Sequence, residues 1–156
     1  MKPSLPGLSV ALVMALMLTA CELGVSWSGS EKANAQLIFE SLEDARRAAD
    51  AANQLPADWD PDGDAVAPVI DALDDALIKA SQVQNTVLTK AHPDLGSRFR
   101  LDYMRSLRGL RSYYQTGEIE GREDPRETLA EFTDWFYSNQ HEFRWWRGYR
   151  SDVGLE

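Results

Sequence analysis

LGSRFRLDYMRSLRGLRSYYQT, residues 95–116, is the stretch whose pattern decides the fold. At roughly 100° per residue, Leu95, Phe99, Tyr103, Leu107, Leu110, Tyr113 and Tyr114 share one wide apolar face, the mark of a helix with one side against a core. Arg98, Arg100, Arg105, Arg108 and Arg111 take the rest of the circumference, with Leu101 and Met104 among them. Just upstream, Pro93 disfavours helical geometry at His92, so any preceding helix must stop there. The break between the two helical segments is therefore short, and a short connection predicts antiparallel neighbours.

Working back from that break, a second helix is expected from about Ala67 to Ala91, with Pro68 tolerated in its first turn, where amides lack partners anyway. Its seam is Val66, Ile70, Leu73, Leu77, Ala80, Gln84, Val87 and Ala91. Asp71, Asp74 and Asp75 fall off the seam and read as a solvated face near the helix's positive end. Pro56, Pro61 and Gly63 mark 55–64 as the longest loop. Before it, Ser28 and Glu31 have the spacing of a capping box. Ala35, Ile38, Leu42, Ala45, Ala49 and Ala52 then give the first helix an alanine-rich seam that a partner can approach closely.

Working forward, Gly117 and Gly121 bracket a loop, and Asp124-Pro125-Arg126-Glu127 is a strong helix start, with a capping aspartate and a proline pre-set for the first turn. The fourth seam is aromatic: Leu129, Phe132, Phe136, Asn139, Phe143 and Trp146. Four seams of comparable length with short connections predict an all-α, up-down-up-down four-helix bundle. The first and fourth helices would be neighbours, so large aromatic side chains meet an alanine-lined partner.

The start of the chain carries a different signal. After Lys2, an apolar run from Leu8 to Leu18 closes on Leu18-Thr19-Ala20-Cys21. The run is too short for the ~20 apolar residues that span a bilayer. A positive start, an apolar centre and a small-residue end are the parts of a secretory signal. Cys21 is also the single cysteine of the chain, which leaves it without a disulfide partner. The ending resembles the lipobox of bacterial lipoproteins. That resemblance implies cleavage after Ala20 and a Cys21 bearing a thioether-linked diacylglycerol and an acylated amine, more than the two lipid signals that stable anchoring takes. With Glu22 rather than an aspartate next to it, the family's sorting rule favours the outer membrane over the inner. The expected division is a signal peptide at 1–20, an acylated cysteine and flexible tether at 21–30, a helical bundle at 31–147 and a tail at 148–156. Trp27 in the tether would sit at headgroup level or pack under the end of the bundle.

A net charge of −9 over 156 residues argues against nucleic acid or an anionic bilayer surface as the main partner. The charge is uneven. Residues 21–97 hold fourteen acidic against five basic side chains, whereas 98–156 hold eleven against ten, so the arginines of the third helix stand out.

Three constellations bear on chemistry. Asp58-Trp59-Asp60-Pro61-Asp62-Gly63-Asp64 resembles the opening of an EF-hand-like calcium loop. The resemblance implies Asp58, Asp60, Asp62 and Asp64 as calcium ligands around a turn at Gly63, although Val69 stands where the family places a bidentate glutamate. The alternative is an acidic turn in which Asp64 caps the second helix. His92 and His141, with Asp94 and Glu142 nearby, come to one end of the expected topology. They would hold a transition metal or haem, or simply lie in final turns where positive charge is favourable. Arg98, Leu101, Met104, Arg105 and Arg108, joined by Trp145 and Arg147 from the cluster 144–150, read as a partner-binding surface, because arginine and exposed aromatic or apolar side chains are enriched where proteins meet. The competing readings are arginines bonding the acidic first and second helices, and a tail folded back as a lid.

No nucleophile elbow, phosphate-cradling glycine loop or His-Glu-x-x-His motif is present, and no catalytic residue is predicted. The expectation is a non-enzymatic, lipid-anchored, periplasm-facing envelope protein that binds a protein partner as an accessory or assembly factor. A calcium, metal or small-ligand carrier is the alternative.

Overall fold

The computed structural model describes residues 28–145, and all the regular structure among them is helical. Helix α1 spans Gly29–Ala52. Its start follows from the capping box: the Glu31 amide donates to Ser28 Oγ at 3.2 Å, and the Ser28 amide donates to Glu31 Oε2 at 2.7 Å. That bond from the Ser28 amide is the main reason the Glu31 carboxyl sits below its usual range, against the opposing effect of burial. The first half buries Ala35, Ile38 and Leu42 as the seam requires. Further on the buried face turns towards Asp44 and Ala48, and Ala49 is exposed, because no helix closes over that side.

A 3-10 turn at Asp64–Val66 leads into α2, Ala67–Gln82. This inserted turn puts Val66 rather than Asp64 at the cap position of α2, where no side chain supplies a capping bond. Inward positions are Val69, Ala72, Leu73, Ala76 and Ala80, whereas Ile78 is 57% exposed. The single second helix expected as far as Ala91 is instead two. Val83 and Gln84 are extended, with ψ of 126° and 118°, and α3 begins afresh at Asn85 and ends at Ala91. The reason lies across the core: Asn34 of α1 is buried, and its Oδ1 accepts the freed Gln84 amide at 2.5 Å while its Nδ2 donates to the Ser30 carbonyl. A buried amide is thereby satisfied at both ends.

His92 is extended before Pro93, at φ −156° and ψ 139°, as the sequence required. Helix α4 (Leu95–Arg98), a π-helical segment (Phe99–Met104) and α5 (Arg105–Thr116) then run on through helical backbone at their junctions. The buried residues Leu95, Phe99, Tyr103 and Leu107 recur at steps of four. In an ideal α-helix each such step drifts by roughly 40°. The wider i→i+5 turn of a π segment keeps them on the core. Gly117 closes α5 in the left-handed region at φ 77°, its amide donating to the Tyr113 carbonyl at 2.8 Å, the conformation a glycine adopts without penalty.

Helix α6, Pro125–Asn139, starts on Asp124, whose carboxylate accepts the Arg126 amide at 2.9 Å. It stops short of the expected 147. A 3-10 turn at Gln140–Glu142 and an extended Phe143 carry the chain across the core instead. Helix α1 packs on α2, α2 on α5, and α6 on both α5 and the π segment, whereas α1 and α6 make little close backbone contact. Where α1 and α6 do meet, the contact is aromatic: Phe39 stands edge-on to Phe136 with ring centroids 5.5 Å apart.

Ser41 and Asp44, like Asn34, are buried polar side chains. Ser41 donates to the Ala76 carbonyl at 2.8 Å and lies 2.7 Å from Tyr103 Oη, so the tyrosine supplies the proton of that second bond. Burial pushes the Tyr103 phenol well above its ordinary range, and the Ser41 bond only partly opposes this. Asp44 is held by Lys79 at 2.5 Å and Arg47 at 2.6 Å. Burial raises its carboxyl, but the two hydrogen bonds outweigh burial and the net displacement is downward.

Candidate functional site

The surface of the segment 95–116 carries most of the residues predicted to bind a partner, and the structure sorts them. Leu101 is 62% exposed. Arg105 and Arg108 are exposed, as is Arg100, and none of the three forms an ion pair among the described residues. Met104 is half-buried against the core and presents only part of its surface. Arg98 is largely used internally: its guanidinium lies 4.7 Å over the Trp135 ring and 3.7 Å from Asp102. Arg111 makes a two-point pair with Asp74 of α2, the internal bonding that competed with the docking reading.

Trp145 requires a correction. Expected as an exposed anchor, it is 1% exposed and packs on Phe39 and Phe143, with ring centroids 6.2 Å and 5.4 Å away. Helical spacing excluded it from the seam, but α6 ends before it, so that spacing no longer applies. Cys21, Trp27, Trp146, Arg147 and the tail at 148–156 lie outside the described residues.

The expected calcium ligands are not brought together. Asp58, Asp60, Asp62 and Asp64 are all exposed, and among the described residues no group of three or more His, Cys, Asp or Glu is arranged to hold a metal ion. Asp60 Oδ1 accepts the Asp62 amide at 3.0 Å, and the Asp60 carbonyl accepts the Gly63 amide at 2.9 Å. The loop is thus a self-bonded turn, pinned by Trp59, whose ring lies 5.5 Å from both Tyr113 and Tyr114. His92 and His141 do come to the same end through Glu142, at 3.7 Å and 3.8 Å. However, His92 is enclosed by the rings of Trp135 and Phe143, and its Nδ1 accepts the Asp94 amide.

Compared with known proteins, the chain matches no family model, no curated protein and no solved structure.

Two of the concavities among the described residues bear on the candidate site. One, about 510 Å³, lies between the alanine side of α1 (Ala45, Ala49, Ala52) and Leu129, Ala130 and Thr133 of α6, over a floor of Leu73, Leu110 and Tyr114. Here the alanines of α1 face Leu129, Ala130 and Thr133, whereas Phe39 of α1 meets the aromatic Phe136 of α6. The helices are not drawn together, and an apolar groove remains. The second, about 270 Å³, lies at the α2–α3 break between Val83, Asn85 and Leu88 on one side and Phe99, Arg100, Met104 and Arg108 on the other. Sequence reasoning missed Asn85 and left Arg100 out of the partner surface. The available signal was Gln84, a polar residue at a position the seam required to be apolar. No helix among the described residues is long and apolar enough to cross a membrane.

Proposed function

We propose that the chain is a lipid-anchored, periplasm-facing protein of the bacterial envelope, an up-down-up-down four-helix bundle held near the outer membrane by Cys21, that binds a partner protein with the outer face of the helical segment 95–116. The anchor rests on the sequence alone, on the resemblance of Leu18-Thr19-Ala20-Cys21 to a lipobox. The observation that carries the docking role is Leu101, 62% exposed among Arg100, Arg105 and Arg108, which are without ion pairs among the described residues. Unpaired arginines around an exposed apolar side chain have the composition of the core of a protein interface, and on a chain of net charge −9 they form a local positive field that steers an acidic partner. The role is that of an accessory or assembly factor, with no catalytic step. Affinity capture from native envelope tests it. Replacing Arg105 and Arg108 by Glu removes the captured partner, and recovery unchanged by both substitutions contradicts the docking face.

A second reading has the groove beside α1 behind it. At about 510 Å³ it lies within the volume range of small-molecule sites, and a carrier of an apolar small ligand would use it. The calcium form of that reading has no geometric support in the Asp58–Asp64 loop. Native mass spectrometry of the protein purified from its own membrane decides the carrier role. A bound species lost on Ala49→Leu, which fills the groove, supports it, and bare protein opposes it.

A further inference from the structure

The cleft at the α2–α3 break carries positive charge with no carboxylate to balance it. No Asp or Glu lines it, and its charged lining is Arg100 and Arg108. Asn85 also lines it, and the inward end of that amide is identifiable. Its Oδ1 is buried without a hydrogen-bond partner and lies 3.0 Å from where a Cβ on Gly96 would stand. The oxygen therefore faces α4, and the NH₂ end is the one left towards the cleft. The π segment adds to this convergence. In an ideal α-helix Arg100 and Arg108 would point roughly 80° apart, and the wider turns from Phe99 to Met104 bring them towards one side, with Met104 between.

From this geometry we propose that the cleft is the seat for a carboxylate side chain presented by an acidic segment of a partner protein, with an apolar neighbour of that side chain lying on Leu101 and Met104. The inference rests on the docking reading and adds the partner's chemistry. A guanidinium fork matches a carboxylate through two parallel bonds, and the Asn85 amide supplies a neutral donor beside them. The acceptor belongs to a protein segment rather than a lipid headgroup for two reasons. The apolar part of the surface is Met104, which lines the cleft, and the exposed Leu101 three positions before it on the same segment, not a broad insertion face. The net charge of −9 also sets the remainder of the molecule against an anionic bilayer.

The test uses the full chain in detergent micelles and a fluorescently labelled peptide alternating Glu and Leu, with binding read by anisotropy at low salt. Arg100→Ala and Arg108→Ala each weaken binding about ten-fold, as loss of a charge-assisted hydrogen bond requires. Arg100→Lys, which keeps the charge but not the fork, weakens it nearly as much, while Arg46→Ala, the same charge change on α1 away from the cleft lining, leaves it within about two-fold. Equal losses from Arg100→Ala and Arg46→Ala overturn the proposal, because net charge alone would then explain binding. Inorganic phosphate or phosphatidylglycerol vesicles competing as well as the peptide also overturn it. Envelope capture that falls with Arg105→Glu, alongside peptide binding indifferent to Arg100→Ala, leaves the docking face standing and removes the carboxylate seat.

Discussion

Ser41 is the smallest side chain with a large consequence. It satisfies the Ala76 carbonyl and receives the Tyr103 proton in a site closed to solvent, so Ser41→Ala leaves a buried phenol unpaired. A loss of about 1–3 kcal/mol in urea unfolding is expected, and Tyr103→Phe in the Ser41→Ala background should recover part of it. Asp44 has a pH signature. Its folded carboxyl titrates below the ordinary aspartate value, because Lys79 and Arg47 outweigh burial. It therefore contributes stability that is fully present above the ordinary aspartate range and is lost as pH falls through its lowered folded value. Asp44→Asn should lower stability at neutral pH and flatten the acid limb of a stability-versus-pH curve; an unchanged acid limb would count against this account. Neither residue was legible as special, since polar residues on an alanine-rich seam look like its edge until α2 and the π segment are in place over them.

Helices α3 and α4 meet through a glycine. A Cβ at Gly96 would stand 2.7 Å from Thr89 Oγ1 and 3.0 Å from Asn85 Oδ1, so Gly96→Ala should cost about 1–2 kcal/mol by overpacking, despite alanine's better helix propensity. Thermal unfolding reads this directly, and a gain in stability would show that the two helices separate freely. Element starts were legible wherever local chemistry sets them: Ser28 with Glu31, Asp124 with Pro125, and the extended His92 before Pro93. Breaks set from a distance were not. Val83 and Gln84 leave helical geometry because Asn34, some fifty positions earlier in the chain, receives the Gln84 amide, and the π segment answers to burial at steps of four. The early end of α6 moved Trp145 from surface to core for the same reason, since periodicity assumes that the helix continues.

Across the described residues, the alanine side of α1 leaves a groove against α6, while the aromatic cluster around Phe136 and Trp145 closes the other side. Ala49→Leu should therefore be tolerated and raise stability by about 0.5–1 kcal/mol, the reverse of what the same change would do in a filled core. The candidate site was partly legible: Leu101, Arg105 and Arg108 stand exposed as the pattern implied, but the cleft beside them exists only because of the break and the π segment. In the proposed role this face engages a partner while the chain is held at the membrane. Its most direct test is a photo-crosslinking amino acid at position 101 in living cells, with the same probe at Ile119 as a control. A discrete protein adduct is expected from position 101 in the membrane fraction, absent from position 119 and lost when Arg105 and Arg108 are changed to Glu. No adduct from position 101, or one indifferent to those substitutions, would contradict it.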